Sequence, residues 1–526
     1  MKSLLLLICF ILNIPKIAKA DVFLYCSEAN PDYFNPQLSL SGTAFDASNL
    51  LYSRLIEYNK EGTKLIPGLA EKWTADKDKK IHTFHLRKNV KFYSRGDFKP
   101  SRSFNADDVI FSFMRQKDKA HPFHKVNGGH YKFFYSLNLH NQIVKIKRVN
   151  EHTVQFVLKK TSSLFPTYMA MEFAVILSKE YADFLLKKNQ KRKIDFEPVG
   201  TGPFILEKYV KSNLIRYKRN DNYYLGPAQL KKIIFSITPD PSVRFQKLKR
   251  GECHFLAKAQ PTDIPLMKKN KKIKIMKGLT HNLAYLAMNT TKAPLNNKNV
   301  RKAIAHALNR KLYIKAIYKD TAKTLDSPVP ASLWGHNPTL RVPKYNIKKA
   351  KALLKQAGFE KGFKIKLWTL PVSRPYNPNG KKMGELQQAD LKKIGIEVEL
   401  VTYDWPTYLA KSSKGEHELI QLGWSADIPD PSNFLQILLT CDSIKAGSNL
   451  SQWCNKNYDK LIAKAMQSDS KTADKLYKQA QVLFQKDLPF IPIAQSYRYA
   501  PLSKKVKGYI VKSFGSERFY HLSLSQ

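Results

Sequence analysis

The sequence predicts an α/β protein with two or more domains, and three observations support that class. The first is length: 526 residues are enough for several cores when a domain takes roughly 100 to 200. The second is alternation. From about Leu279 a strand signal, Leu283 to Met288, is followed by a helix signal, about Asn299 to Asn309, and the pattern repeats along the C-terminal half. The third is the stretch from Gln421 to Phe434, Gln-Leu-Gly-Trp-Ser-Ala-Asp-Ile-Pro-Asp-Pro-Ser-Asn-Phe. There an apolar strand led by Glu418, Leu419 and Ile420 runs into a turn closed by Pro429 and Pro431. Trp424 and Asp427 thereby fall at the C-terminal lip of a strand, where open α/β sheets hold their ligands. An aromatic plate beside one carboxylate suits a small ligand with a cationic end.

The remaining elements follow in chain order. Val22-Phe23-Leu24-Tyr25 centres a strand from Asp21 to Ser27. His82 to Phe92 alternates, with Phe84, Leu86 and Val90 on even positions, as a half-buried strand does. His82 and His85 face opposite sides of it and cannot share a metal, and His121, His124 and His130 lie in an irregular loop, so no metal site is expected. Asn105-Ala-Asp-Asp108 opens a helix with acids in its first turn. Gly200-Thr-Gly-Pro203 is a tight turn before a strand. Ile347 to Ala357 places Ala350, Leu353, Leu354 and Ala357 on one helical face, and Gly358 stops it. A strand at Ile365 to Leu370, a helix around Met383 to Ile394, a strand at Ile396 to Tyr403, a helix at about Thr472 to Phe484 and a strand at Ile491 to Ala494 complete the pattern.

Composition narrows the class of function. Hydrophobic residues make up 43%, which excludes a disordered chain. Lys2, the apolar run Leu4 to Ile14 broken only by Asn13, and Ala18-Lys19-Ala20 are the parts of a secretory signal cleaved after Ala20. The run is shorter than the roughly 20 residues a membrane span needs. Export leaves Cys26, Cys253, Cys441 and Cys454, which read as two disulfides with three pairings open. Cys441 and Cys454 are the nearest pair, closing a loop worth ~3 kcal/mol, and that choice leaves Cys26 for Cys253. The net charge of +47 is spread along the whole chain, not gathered in one patch, so nucleic acid is not an expected partner. It does predict salt-sensitive attraction to anionic surfaces.

Several ordered blocks then carry a family resemblance. Gly68-Leu-Ala-Glu-Lys-Trp73, Phe84-His-Leu-Arg-Lys88, Phe104-Asn-Ala-Asp-Asp-Val-Ile-Phe-Ser-Phe113, Val199-Gly-Thr-Gly-Pro-Phe204, Phe235-Ser-Ile-Thr-Pro239 and Val300-Arg-Lys-Ala-Ile304 resemble the signature blocks of the family 5 extracellular solute-binding proteins of ABC importers. Tyr25-Cys-Ser-Glu28, Phe34-Asn-Pro-Gln37, Arg374-Pro-Tyr-Asn-Pro378 and Gly447-Ser-Asn-Leu-Ser-Gln-Trp-Cys454 are most similar to its dipeptide-binding receptors. One departure is Asn89, where the family usually has glycine.

The resemblance implies a two-lobe periplasmic binding protein fold with an extra subdomain in the first lobe. Its expected parts are a signal peptide (1–20), the first lobe (21–54 and 195–279), an inserted subdomain (55–194), the second lobe (280–498) and a C-terminal return to the first lobe (499–526). Two hinge strands, near 280 and 498, would let the lobes close on a ligand. The expected role is periplasmic capture of dipeptides by a monomeric receptor that hands them to the permease subunits of an importer, without a cofactor. Haem or another anionic cofactor as cargo is the alternative, and the positive charge favours it.

A dipeptide is a zwitterion, so a dry site must neutralise both of its ends. The resemblance assigns the ammonium to Asp427 and the carboxylate to Arg374, whose planar fork grips carboxylates through two hydrogen bonds. The two are expected to face each other across the cleft. Tyr376, Trp405, Trp424 and Tyr131 are candidates for the walls, and the backbone near Gly423, Ser425 and Ser41 for the peptide main chain. Catalysis is not expected: Gly-x-Ser-x-Gly, His-Glu-x-x-His and the P-loop are missing, and Ser468-Asp-Ser-Lys471 lacks the companions of a Ser-x-x-Lys hydrolase.

Overall fold

The computed structural model describes residues 22–39 and 41–525, so the signal-peptide expectation for residues 1–20 lies outside the described residues. The chain opens with β1 (Val22–Ser27) and α1 (Gly42–Ser48). It then builds a separate antiparallel sheet from β2 (Ala70–Ala75), β3 (Ile81–Leu86), β4 (Ile143–Asn150) and β5 (Thr153–Leu158), in the order β2-β3-β5-β4, with α2 (Ala106–Lys117) against β4 and β5. It returns through β6 (Phe204–Val210), β7 (Leu214–Arg219), β8 (Lys232–Ile237), β9 (Phe255–Leu256) and β10 (Ile273–Leu279). The second lobe contains β11 (Asn282–Met288), β12 (Ala322–Thr324), β13 (Phe363–Trp368), α3 (Gly380–Lys392), β14 (Ile396–Val401), α4 (Trp405–Ser413), β15 (Leu419–Ser425), α5 (Ser432–Leu439), α6 (Lys456–Gln467) and α7 (Ser470–Asp487). Last comes β16 (Phe490–Ser503).

One sheet runs through both lobes in the order β14-β13-β15-β11-β16-β9-β1-β8-β7-β6, with β10 and β12 also paired to β16. The first half of β16 pairs with β11 and β12, as in Ala494↔Ala284 and Ser496↔Ala322. Its second half pairs with β10, from Tyr497↔Leu279 to Ser503↔Ile273. The changeover at Ser496–Tyr497 lies beside Thr280 and His281, where the chain first crosses between lobes. On either side sit two cores, one containing Phe23, Phe84, Phe235 and Leu502, the other Leu283, Ile304, Leu367 and Phe484. Every residue of β11 is buried, which accounts for its unbroken apolar run at the centre of the sheet.

Local differences from the sequence reading have physical causes. The strand expected to reach Phe92 stops at Leu86, and Asn89 sits at φ 60°. Asparagine tolerates that left-handed conformation, so the departure from glycine preserves the turn. The strand before Asp427 runs on to Ser425, held by its pairing with Asn282, so Trp424 lies inside the strand and not in the turn. The strand expected at Ile491 to Ala494 is the first part of the 14-residue β16.

Covalent and charged ties brace the first lobe and the second. Cys26 is bonded to Cys253 and Cys441 to Cys454. Arg115 on α2 grips Asp195 through two bonds of 2.8 Å, both side chains being 0% exposed. Asn35 and Asn127 donate to the same carboxylate, each at 2.7 Å. Removing one partner of a buried pair leaves the other without its counter-charge. Arg115→Met is therefore expected to lower unfolding free energy by about 3 to 5 kcal/mol, measured by chemical denaturation, and a loss below about 1 kcal/mol would contradict the buried-pair account.

Candidate functional site

β13 and β15 are parallel neighbours, paired at Leu367↔Leu419 and Trp368↔Ile420. Their C-terminal ends therefore emerge on the same edge of the sheet, and β15 continues beyond the end of β13 with β11 as its remaining strand partner. The loop after β13 folds back over that free edge. Within it, Arg374 and Asn377 exchange backbone hydrogen bonds of 3.0 Å, and Leu370 N–H donates to the Gln421 side chain at 3.2 Å. The Tyr376 ring lies against Gly423, where a Cβ would come within 2.2 Å of it. Glycine at 423 is thus required by close approach.

This arrangement corrects the expectation that Asp427 and Arg374 face each other across the cleft. Both belong to the second lobe and stand on one wall, one just past the end of β15 and the other in the loop laid over it. Parallel pairing of the two strands is the reason. Met171 and Glu172 of the first lobe border the other side of the space before Asp427.

Asp427 is positioned by Asn433, which the sequence reading did not single out. The Asn433 side-chain carbonyl accepts from the Asp427 backbone N–H at 3.0 Å and from the Trp424 indole N–H at 2.9 Å. One amide thereby fixes both the carboxylate-bearing turn and its aromatic neighbour. Burial pushes the Asp427 carboxyl up to about 6, a side-chain hydrogen bond from Asn433 counteracts it, and the charge of Glu172 in the first lobe adds to it. Glu172 itself stays below the ordinary carboxylate range: burial acts to raise it, but Arg54 and Arg518 prevail. Among the described residues no cation stands within salt-bridge distance of Asp427. The space before it, bordered by Tyr58, Met171, Glu172, Phe514, Ser516 and the cations Lys512 and Arg518, is about 10 Å³, room for one water.

Arg374 is half-buried, with its guanidinium carbon 4.6 Å from the centre of the Trp405 ring and no carboxylate partner among the described residues. Stacking on indole holds the planar group without occupying its hydrogen bonds. Trp405 in turn stacks on Tyr408 and, with Ser373, borders a cavity of about 770 Å³ between the Arg374 loop and segment 400–405. Burial pushes the Tyr376 hydroxyl up to about 12, with Arg374 opposing.

The other candidates divide. Gly423, Trp424 and Ser425 line the free edge of β15 between the two charged groups. Tyr131 is not brought there. It is 1% exposed within the first-lobe core, its ring lies against the Arg115 guanidinium and its hydroxyl donates to the His124 carbonyl. Ser41 caps α1: its hydroxyl oxygen accepts from Ala44 N–H, its carbonyl from Phe45 N–H, and its own N–H donates to Ser39. Those groups are occupied in this conformation. The close packing at Gly423 makes a direct prediction: Gly423→Ala must displace Tyr376 and is expected to cost about 1 to 3 kcal/mol in stability by denaturation, whereas an unchanged melting curve would mean the ring is not held there.

Comparison with known proteins agrees with this architecture. The pattern of the bacterial extracellular solute-binding proteins, family 5 (middle), matches residues 64–446. The chain is 45% identical over 508 residues to the dipeptide-binding protein of Escherichia coli, covering 96% of this chain and 95% of that one. It is 39% identical over 511 residues to heme-binding protein A of Haemophilus influenzae, covering 97% and 93%. Among solved structures, HbpA2 from Haemophilus parasuis superposes with a TM-score of 0.93 at 40% identity, over 96% of this chain and 100% of that one. The dipeptide binding protein from Pseudoalteromonas sp. SM9913, in complex with Met-Leu, superposes with a TM-score of 0.79 at 38% identity, over 96% and 100%. The chain therefore belongs to the family 5 bacterial extracellular solute-binding proteins.

Proposed function

We propose that the protein is the periplasmic receptor of an ABC importer for dipeptides, acting as a monomer that closes on its guest and presents it to the permease. The observation that carries this reading is the pair of unsatisfied charges on one wall. Asp427 is largely withdrawn from water with no cation within salt-bridge distance among the described residues, although the chain holds 89 basic residues against 42 acidic ones. Arg374 stacks on Trp405 without an anion. A zwitterion lying along the free edge of β15 would neutralise both, and its main chain would add to the strand at Gly423 and Ser425. The names of the E. coli and Pseudoalteromonas relatives, both dipeptide-binding, support the same class of guest.

Haem is the second reading, supported by the Haemophilus influenzae relative and by the net charge of +47. The buried, uncompensated Asp427 favours the peptide, because an anionic cofactor gives that carboxylate nothing to bind. The receptor needs no cofactor or catalytic group of its own in this reading.

Calorimetry with Met-Leu and its N-acetyl derivative tests the assignment. Asp427→Asn is expected to weaken Met-Leu by two to three decades, about 3 to 5 kcal/mol, and N-acetylation should then cost that variant little more. A loss below threefold in a folded variant removes Asp427 from the site, and recovery of cleaved Met-Leu would indicate a hydrolase instead. The pH dependence follows from the raised carboxyl. In the free protein Asp427 is protonated below about 6, and binding an ammonium needs the anion, so affinity is level above that pH and falls below it. Met-Leu should bind about tenfold more weakly at pH 5 than at pH 7.5, and the Asp427→Asn profile should be flat. A level wild-type profile would contradict the role of this group.

A further inference from the structure

We propose that a second cavity at the seam of the two lobes is a binding site for the ammonium group of a small organic cation. The cavity measures about 300 Å³, at the lower end of small-molecule sites, and both lobes line it: Tyr58, Leu164 and Thr167 from the first, Trp334, Asp430 and Tyr477 from the second. Asp427 is not among its lining residues. Tyr58 stands between this cavity and the small space before Asp427, bordering both.

Two buried groups stand at this cavity, a carboxylate without a counter-cation and a hydroxyl without a hydrogen-bond partner. Asp430 is 7% exposed, and one of its oxygens accepts from Ser432 N–H at 2.9 Å, Ser432 hydroxyl at 2.6 Å and Tyr477 hydroxyl at 3.4 Å. Among the described residues no Lys, Arg or His reaches it within salt-bridge distance, in a chain where basic residues outnumber acidic ones 89 to 42. Burial holds this carboxyl above its ordinary range despite those bonds. Tyr58 is 8% exposed, and its hydroxyl has no hydrogen-bond partner. Both groups line the same cavity, from opposite lobes.

The surroundings select the chemistry. Trp334 and Tyr477 have ring centres 5.7 Å apart, and the Trp334 indole N–H is tied to the Pro429 carbonyl at 2.9 Å, which fixes the indole at the cavity wall. Aromatic faces beside a dry carboxylate attract a compact cation with an apolar surface, through the ring quadrupoles and the charge together. An anion would meet Asp430 uncompensated, and a neutral guest would leave its charge unanswered.

Tetramethylammonium chloride is a suitable probe, titrated against sodium chloride at equal ionic strength and followed by calorimetry and tryptophan fluorescence. Saturable binding is expected for the wild type, at least tenfold weaker binding for Asp430→Asn, and Met-Leu affinity within threefold of wild type in that variant. Asparagine keeps an acceptor for Ser432 and Tyr477. Should that variant fail to fold, Trp334→Leu, at a residue 40% exposed, carries the test with the same expected loss. The proposal is overturned if the probe does not saturate beyond the sodium control or if Asp430→Asn and Trp334→Leu bind it like wild type. It is equally overturned if Asp427→Asn abolishes binding, since the probe would then occupy the proposed dipeptide site.

Discussion

β16 is hydrogen-bonded in both lobes, and the position of every functional group depends on that shared strand. Its first half is buried against β11 and its second half continues beside β10, so the two cores are joined by continuous sheet with one seam at 280–281 and 496–497. His281 ties the seam. Its backbone N–H donates to Ser513 of the C-terminal return at 2.7 Å, and its carbonyl accepts from Ala426, next to Asp427, also at 2.7 Å. Its ring stacks on Phe514, 5.6 Å away, and burial holds it down to about 4, so it stays neutral near physiological pH. His281 thus links the C-terminal return directly to the residue next to the candidate ammonium site.

The electrostatics of the molecule are divided between surface and seam. The positive charge is spread over the exterior, where water and salt screen it. The seam holds buried charges of both signs: Asp427 and Asp430 from the second lobe, and Glu172 beside Arg54, Arg518 and Lys512. Largely withdrawn from water, each acts at a lower dielectric than a surface lysine does. In the proposed site a zwitterion would meet no net repulsion outside and find both counter-charges inside.

Much of this was legible in the sequence because the fold is written in local patterns. Alternating strand and helix signals, the proline-closed stretch after Gln421 and the ordered blocks from Gly68 to Val300 all concern neighbours along the chain. What was not legible concerns pairing at a distance. Both the Arg374 and Asp427 segments read as strand ends, but the parallel pairing of β13 with β15, which puts them on one wall, is a fact about strand order. Tyr131 looked like a pocket aromatic because nothing nearby reveals Arg115 and Asp195, 80 residues apart, meeting in the core beside it. Asn433 and Asp430 lie inside the very stretch that drew attention. Their roles depend on a turn folding back six residues and on a lobe arriving from the other side.

In the proposed mode of binding, one wall of the second lobe holds both ends of a two-residue zwitterion. A crystal structure of the protein with Met-Leu tests it most directly. The expected result is the guest ammonium on the Asp427 carboxylate, its carboxylate on the Arg374 guanidinium and its main chain along Gly423 to Ser425. A dipeptide seated elsewhere, or bound with neither charged group in contact, would contradict it.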